Sequence, residues 1–280
     1  IKITKFKTRD EQEVVGYYDT LETIYDNYLN IDLTENTIKQ LHGILLKHSD
    51  KDGRHRGLYK NLSNKVVANY PDGTQRMIFN TTEPHLVEHQ MRDLVKWTKS
   101  ELKKKEIHPL IIIGLFIYEF LSIHPFQDGN GRLSRLLTTL LLLRNDYQFV
   151  QYVSFENIIE SKKKEYYQAL IEGQKNRNKK SEIIDKWVLF FLTCMTILIE
   201  RLEKKYDIYK SKGGYLNVRQ KKIRDYIKKN QPVKLNDISN NFEDISANTI
   251  KKDLLYLKSE NIIESIGKNK GTVYILKINK

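Results

Sequence analysis

A single cysteine, Cys194, in 280 residues rules out any disulfide within the chain. It sits in an apolar run, and a reducing compartment, the cytoplasm, is the natural expectation. Long hydrophobic stretches are also missing. The longest near-apolar run, Trp187 to Ile199, is shorter than the roughly 20 residues that span a bilayer, so it predicts a buried helix; neither a membrane partner nor a secretory leader is read from the chain. Acid is scarce relative to base: 48 Lys and Arg stand against 35 Asp and Glu, a net charge of +13. Such an excess suits a polyanionic partner, and it equally suits solvated lysine-rich faces. Common nucleotide motifs are absent too. There is no Gly-x-x-x-x-Gly-Lys-(Ser/Thr), and Gly129-x-Gly131 lacks the third glycine of a dinucleotide turn. The length accommodates two domains, each with its own core.

What is present is concentrated in His124-Pro125-Phe126-Gln127-Asp128-Gly129-Asn130-Gly131-Arg132-Leu133-Ser134-Arg135. Pro125 disfavours helical backbone at His124, so the preceding helix stops and the imidazole is presented from a turn, with one ring nitrogen free to take a proton. Gly129 and Gly131 let the chain curl until successive N–H groups share one concavity, and the apolar run from Leu133 predicts a helix starting there. Amides at a helix N-terminus carry partial positive charge, and Arg132 and Arg135, at i and i+3, add two full charges on one face. That is an anion site suited to a triphosphate. Asp128, alone before the glycines, is a poor metal cage but a good single anchor for Mg²⁺, which prefers one carboxylate plus waters and phosphate oxygens.

This stretch resembles the signature of the Fic family, His-x-Phe-x-(Asp/Glu)-Gly-Asn-Gly-Arg-x-x-Arg, at every defined position. The resemblance implies transfer of AMP from ATP to a Tyr, Thr or Ser hydroxyl of a target protein. His124 would be the general base, and Asp128 would hold Mg²⁺ against the α- and β-phosphates. Gly129, Asn130 and Gly131 would form the anion hole, while Arg132 and Arg135 would neutralise the departing diphosphate. Removal of AMP, transfer of another phosphate-containing group, or a DNA-binding regulator with a nucleotide-sensing Fic domain remain open alternatives.

Around the signature the pattern is mainly helical. Val14, Tyr17, Tyr18, Leu21 and Ile24 recur at helical spacing, and Ile38, Leu41 and Leu45 do so behind Thr34, a predicted N-cap; His42 on that stripe reads as a packed histidine. Val66-Val67 and Met77-Ile78-Phe79 flank Pro71-Asp72-Gly73-Thr74 and predict a β-hairpin lying over another surface. In Fic proteins a hairpin here, the flap, covers the active site and holds the target by strand addition. Members usually carry Gly-x-Tyr-Arg ahead of it, and Lys60 stands in place of that arginine. His85 and His89 lack a third ligand for zinc. Pro109 opens an apolar helix from Leu110 to Ile123, and Leu136 to Leu143 is equally apolar, placing the signature between two core helices. Lys164-Glu165-Tyr166-Tyr167-Gln168-Ala169-Leu170 resembles the Tyr-Tyr-x-Ala-Leu segment that follows the Fic signature; Tyr166 or Tyr167 could line a nucleobase pocket or simply pack in the core.

Ser211-Lys212-Gly213-Gly214 breaks the pattern and divides a Fic domain, 1–210, from a second domain, 211–280. Val218 to Lys229, Leu235 to Phe242 and a segment capped by Ser246 read as helices, and Ile262 to Ile266 and Thr272 to Leu276 as strands joined by a basic tip. Three helices and a wing resemble a winged helix-turn-helix, with Asn248, Thr249, Lys251, Lys252, Lys268 and Lys270 as candidate DNA contacts. From Leu216 onward fourteen Lys and Arg face seven Asp and Glu, and Glu243, Asp244 and Asp253 are expected to dilute the basic patch. The fold expected is therefore mainly α: a Fic-type helical domain with a β-hairpin flap, then a small α+β winged-helix domain. Finally, many Fic proteins carry an inhibitory (Ser/Thr)-x-x-x-Glu-(Gly/Asn) helix whose glutamate pairs with the second signature arginine. None of the Glu-Gly or Glu-Asn pairs here, Glu156-Asn157 among them, has Ser or Thr four residues before it. The expectation is that such a helix lies just upstream of Ile1 and that, without it, Arg135 is open to ATP.

Overall fold

Helices supply most of the architecture in the computed structural model, which describes residues 8–69, 75–177, 179, 181–211, 216–267 and 271–277. The chain divides into two compact units, Ile1–Leu202 and Glu203–Lys280. In the first, Thr8 caps α1 (Arg9–Asn27) in a reciprocal arrangement with Glu11. The buried face of α1 is Gly16, Thr20 and Ile24. Val14 and Tyr18, expected on the inner stripe, are instead exposed, while Tyr17 and Leu21 pack on the core. The reason is Gly16. A Cβ there would come within 2.0 Å of the Leu45 carbonyl oxygen, so the helix is rotated to bring its glycine against α2 (Glu35–Leu45). Thr34 caps α2 as expected.

The hairpin follows as β1 (Lys65–Asn69) and β2 (Gln75–Asn80), antiparallel with a bulge between Val66 and Val67. Its expected turn, Pro71 to Thr74, lies outside the described residues. Phe79 is buried, and Val66 and Ile78 pack on the main core, which is what steadies an otherwise marginal two-stranded element. Next comes α3 (Pro84–Lys104), which like α4 (Pro109–Ile123) begins on a proline. α4 and α5 (Asn130–Arg144) are buried on nearly all sides, α4 almost wholly apolar and α5 apolar from Leu140 to Leu143, and form the centre of the unit. α5 begins three residues earlier than the Leu133 start expected, because Gly129 takes a left-handed conformation (φ 78°) and turns the chain directly into the helix. Around this pair lie α6 (Phe155–Ser161), α7 (Lys163–Gln174) and α8 (Asp185–Ser211). Trp187 of α8 is buried and donates to the Gly114 carbonyl at 2.7 Å. Cys194 is buried, and burial pushes its thiol up to about 12.

The second unit contains α9 (Val218–Asn230), β3 (Val233–Lys234), α10 (Leu235–Asn241), α11 (Ala247–Ser259), β4 (Ile263–Ile266) and β5 (Val273–Leu276). Its strands pair antiparallel in the order β3-β5-β4. Ile223, Ile227, Ile238, Ile250, Leu254 and Leu257 make a core of their own, and Ser246 caps α11 as expected. The boundary between the units falls after Leu202, inside α8, rather than at residue 211. The physical reason is that the apolar positions of α8 that reach the first core end at Leu198 and Leu202. Among the described residues no helix is long and apolar enough to cross a membrane.

Candidate active site

His124 ends α4 in a left-handed conformation (φ 53°, ψ 61°), rare for a residue with a side chain, and its N–H still donates to the Phe120 carbonyl at 2.9 Å. Pro125 then takes the chain away from the helix. Nδ1 lies 3.2 Å from the Leu121 carbonyl oxygen. A carbonyl can only accept, so Nδ1 carries the proton and Nε2 keeps a basic lone pair. Burial is the main cause that lowers the imidazole to about 4; the Leu121 bond opposes it, and the charge of Lys60 adds to it. His124 is accordingly neutral, the state a general base requires.

Lys60 is only 4% exposed. Its ammonium donates to Asn64 Oδ1 at 2.8 Å, Thr81 Oγ1 at 2.6 Å and the Ile123 carbonyl at 3.2 Å. Asn64 precedes β1 and Thr81 follows β2, so one side chain ties both feet of the hairpin to the residue before His124. Main-chain Lys60 adds a bond to the Pro125 carbonyl at 2.8 Å, and Asn64 Nδ2 one to the Phe126 carbonyl at 2.9 Å. A lysine thus anchors the hairpin, at the position where the Fic resemblance leads one to expect arginine. Desolvation pushes it down to about 8.

The turn after Phe126 is held from inside. The Asn130 side chain is buried; its Oδ1 accepts from Phe126 N–H at 2.9 Å and its Nδ2 donates to the Phe126 carbonyl at 2.7 Å. Asn130 therefore contributes a locked loop, and Gly129 N–H is taken up by Asp128 Oδ1 at 2.6 Å. Asp128, whose side chain is 39% exposed, also accepts from Arg9 at 2.8 Å and lies 3.6 Å from Arg132. Glu13 closes a ring of alternating charge, 2.7 Å from Arg9 and 3.1 Å from Arg132. Neither Arg9 nor Glu13 is marked as a site residue by the sequence, because nothing in their spacing singles them out.

Arg135 is not open, contrary to the expectation. Its guanidinium is largely buried in an ion pair with Glu156 of α6, and the Tyr17 hydroxyl of α1 bonds the same carboxylate. The sequence does carry a signal for it in Glu156-Asn157, but Tyr152 occupies the position where the inhibitory pattern requires Ser or Thr. Tyr166 is a core residue, in contact with Trp187, Phe190 and Tyr167, and with Arg135 and Ser134 it lines a small internal cavity. Tyr167 is half-buried against the same core.

For a divalent cation the donor set is a single carboxylate: among the described residues no cluster of three His, Cys, Asp or Glu exists, and His89 is paired with Asp93 at 3.2 Å on the exposed face of α3. One half-exposed carboxylate beside a candidate phosphate site fits Mg²⁺ held mainly by phosphate oxygens and water.

In the second unit Asn248, Lys251 and Lys252 are exposed on α11 and Thr249 is half-buried, its N–H bonded to Ser246 Oγ at 3.2 Å. Lys268 and Lys270 lie outside the described residues. Asp253 does not dilute this surface. It is 4% exposed and accepts from Arg219 and, at 3.0 Å, from Gln220 of α9, on the inner side of α11.

Residues 32–142 match the family model described as Fic/DOC family, and residues 219–273 match the DeoR-like helix-turn-helix domain. Over 118 residues the chain is 34% identical to a protein adenylyltransferase Fic of Drosophila melanogaster, covering 42% of this chain and 21% of the fly protein. Over 74 residues it is 34% identical to a Fido domain-containing protein of Dictyostelium discoideum, covering 26% of this chain and 52% of that protein. The chain thus matches about a fifth of the fly relative's length and about half of the amoebal one's. Among solved structures, a Fic family protein from Desulfovibrio desulfuricans has a TM-score of 0.57 at 22% identity, covering 99% of this chain and 78% of its own. A Fic domain containing signaling protein from Bacteroides thetaiotaomicron has a TM-score of 0.55 at 25% identity, covering 75% of each chain. These structures share the fold.

Proposed function

The chain carries a Fic/DOC domain followed by a DeoR-like helix-turn-helix domain, and on that premise we propose that it transfers AMP from ATP to a hydroxyl side chain of a target protein. The observation that carries the reading is the neutral His124, its Nε2 lone pair unprotonated, immediately ahead of the N-terminus of α5 with Arg132 and Arg135 on its first turns. Nε2 takes the proton from the target's Tyr, Thr or Ser hydroxyl. The oxygen attacks the α-phosphorus, the bond from that phosphorus to the bridging oxygen breaks, and diphosphate leaves with its electron pair. With the Gly129 N–H held by the Asp128 carboxylate, the amides of Asn130 and Gly131 and the two arginines neutralise the charge that collects on the phosphates. Mg²⁺ held by Asp128 would supply further charge neutralisation at the α- and β-phosphates. The flap, fastened through Lys60, would hold the target chain along β1 or β2.

Both arginines are engaged by carboxylates, Arg132 by Glu13 and Arg135 by Glu156, so nucleotide binding displaces existing partners. The exposed Asn248, Lys251 and Lys252 of α11 support a second role, binding of DNA through the C-terminal domain. Intact-mass analysis of the chain and candidate targets, incubated with each nucleoside triphosphate and Mg²⁺, tests the activity. A gain of one nucleoside monophosphate is expected. Loss of AMP from a pre-modified protein, with no gain on any protein, would assign the reverse reaction.

A further inference from the structure

The imidazole of His42 is fully buried on α2, remote in sequence from the signature yet pressed against it. It stacks face to face on Phe126, with ring centroids 3.8 Å apart and an interplanar angle of 11°. Its Nδ1 lies 3.0 Å from the backbone nitrogen of Gly57. An amide N–H can only donate, so Nδ1 is the acceptor and carries no proton. The ring proton is therefore on Nε2, which faces the carbonyl oxygen of Asp128 at 3.0 Å. Burial, the main cause, lowers the ring to about 4 and keeps that tautomer neutral. Packing alone would be served by any flat ring. Only histidine combines the stack with one acceptor and one donor on opposite sides, and here both are used by main-chain groups of two different segments.

We infer that His42 is a positioning residue for the phosphate site: by donating Nε2–H to the Asp128 carbonyl it fixes the Asp128–Gly129 peptide, and through it the amides that open α5. The Asp128 carbonyl defines the plane of the peptide whose nitrogen is Gly129. Gly129 itself is left-handed (φ 78°) and packs against the same ring, where a Cβ would lie in contact with His42 Nε2 at 3.4 Å. The carboxylate of Asp128 starts from the same residue, so its direction is set together with the amides. Through Gly57 the same ring reaches the segment that continues to Lys60 and the flap. The inference rests on the nucleotide reading above for its ligand, and on the hydrogen bonds alone for its geometry.

Three substitutions in the full chain separate positioning from packing. His42→Phe keeps the stack and loses both hydrogen bonds. His42→Gln can place an amide N–H where Nε2–H was, whereas His42→Asn can place an oxygen where Nδ1 was, its shorter amide NH2 falling short of the Asp128 carbonyl. Two quantities are read: amide hydrogen exchange across residues 126–133 without nucleotide, and the affinity for ATP with Mg²⁺ by calorimetry. His42→Gln is expected to stay within about threefold of the parent in both, while His42→Asn and His42→Phe exchange about tenfold faster and bind about tenfold more weakly, the scale of one buried carbonyl left without its donor. A parent-like His42→Phe overturns the inference. So does equal loss in all three variants that tracks their unfolding midpoints, or no change in any. If the parent itself binds no ATP, the functional reading fails, and the exchange ranking still decides the role of His42.

Discussion

Glu156 of α6 holds the guanidinium of Arg135 of α5 in a largely buried ion pair, and Tyr17 of α1 shares the carboxylate. The partner of the second signature arginine is therefore built from the described chain, and three helices meet at it. Glu156→Gln removes the negative charge while leaving an oxygen to accept from Arg135. It should strengthen ATP by about tenfold and AMP little, because the freed charge acts on the outer phosphates. Arg135→Ala should weaken ATP more than AMP. Calorimetry with both ligands reads the difference; equal changes for the two nucleotides would show that Arg135 never reaches a γ-phosphate.

His124→Ala should keep ATP binding and lose transfer by about 10² to 10⁴, measured as the rate of mass gain on the target. The pH dependence has a defined sign. His42 and His124 are both lowered to about 4 from 6.5. Above 6.5 both states of the chain leave them neutral. As pH falls from 6.5 to 4 the unfolded chain takes up protons that the folded one refuses, so stability drops, by roughly 3 kcal/mol per histidine at most, and the loss levels off below 4. Transfer should show an acid limb near 4 to 5 and a plateau through neutrality. A limb centred at 6.5 would mean that the base is solvated.

Lys60→Met removes three hydrogen bonds that join both ends of the β1–β2 hairpin to Ile123. Exchange in β1 and β2 should quicken by about tenfold and KM for the target should rise, with ATP affinity unchanged. Lys60→Arg should recover part of the loss. An unaltered flap in Lys60→Met would mean that Phe79 and Val66 suffice to hold it.

In the second unit, surface and interior charge separate cleanly. Lys251→Ala with Lys252→Ala should flatten the salt dependence of DNA affinity by about 0.9 for each phosphate that is no longer neutralised, with no change in unfolding. Asp253→Asn should do the opposite, costing about 1–3 kcal/mol of stability and leaving the slope alone. Burial by itself would raise this carboxyl, but hydrogen bonds from Arg219 and Gln220 outweigh it and hold it below its ordinary 3.8. That part of the unit's stability is present above 3.8 and is lost as pH falls through the lower folded value. A gel shift with no DNA binding by the parent chain at low salt would turn α11 into a protein-binding surface.

The parts of this architecture legible beforehand are the ones written in local order. His124 to Arg135 declares its chemistry within one short segment, and Thr34 and Ser246 announce helices because an N-cap bonds only a few residues ahead. What stayed hidden depends on partners distant in sequence. Glu156 meets Arg135 only when α6 folds back on α5. Val14 and Tyr18 fit the apolar period of α1, yet the approach of Gly16 to Leu45 turns them outward. Asp253 reads as surface charge until Arg219 of another helix is placed beside it. His42 reads as packing, which it is, but its two nitrogens are spoken for by main-chain groups that no periodicity reveals.

The lock on Asn130 also bears on how the protein ages. Asn130-Gly131 is the dipeptide in which the side-chain carbon is most readily attacked by the following backbone nitrogen, a cyclisation that ends in aspartate or isoaspartate. Here the amide is clasped on both sides by Phe126, and the Gly131 nitrogen belongs to the first turn of α5. Neither atom can reach the other while the loop is closed. Chemical damage at the heart of the signature thus has to pass through an opened state, and the lifetime of this site in storage is set by how often the loop opens rather than by the reactivity of its sequence.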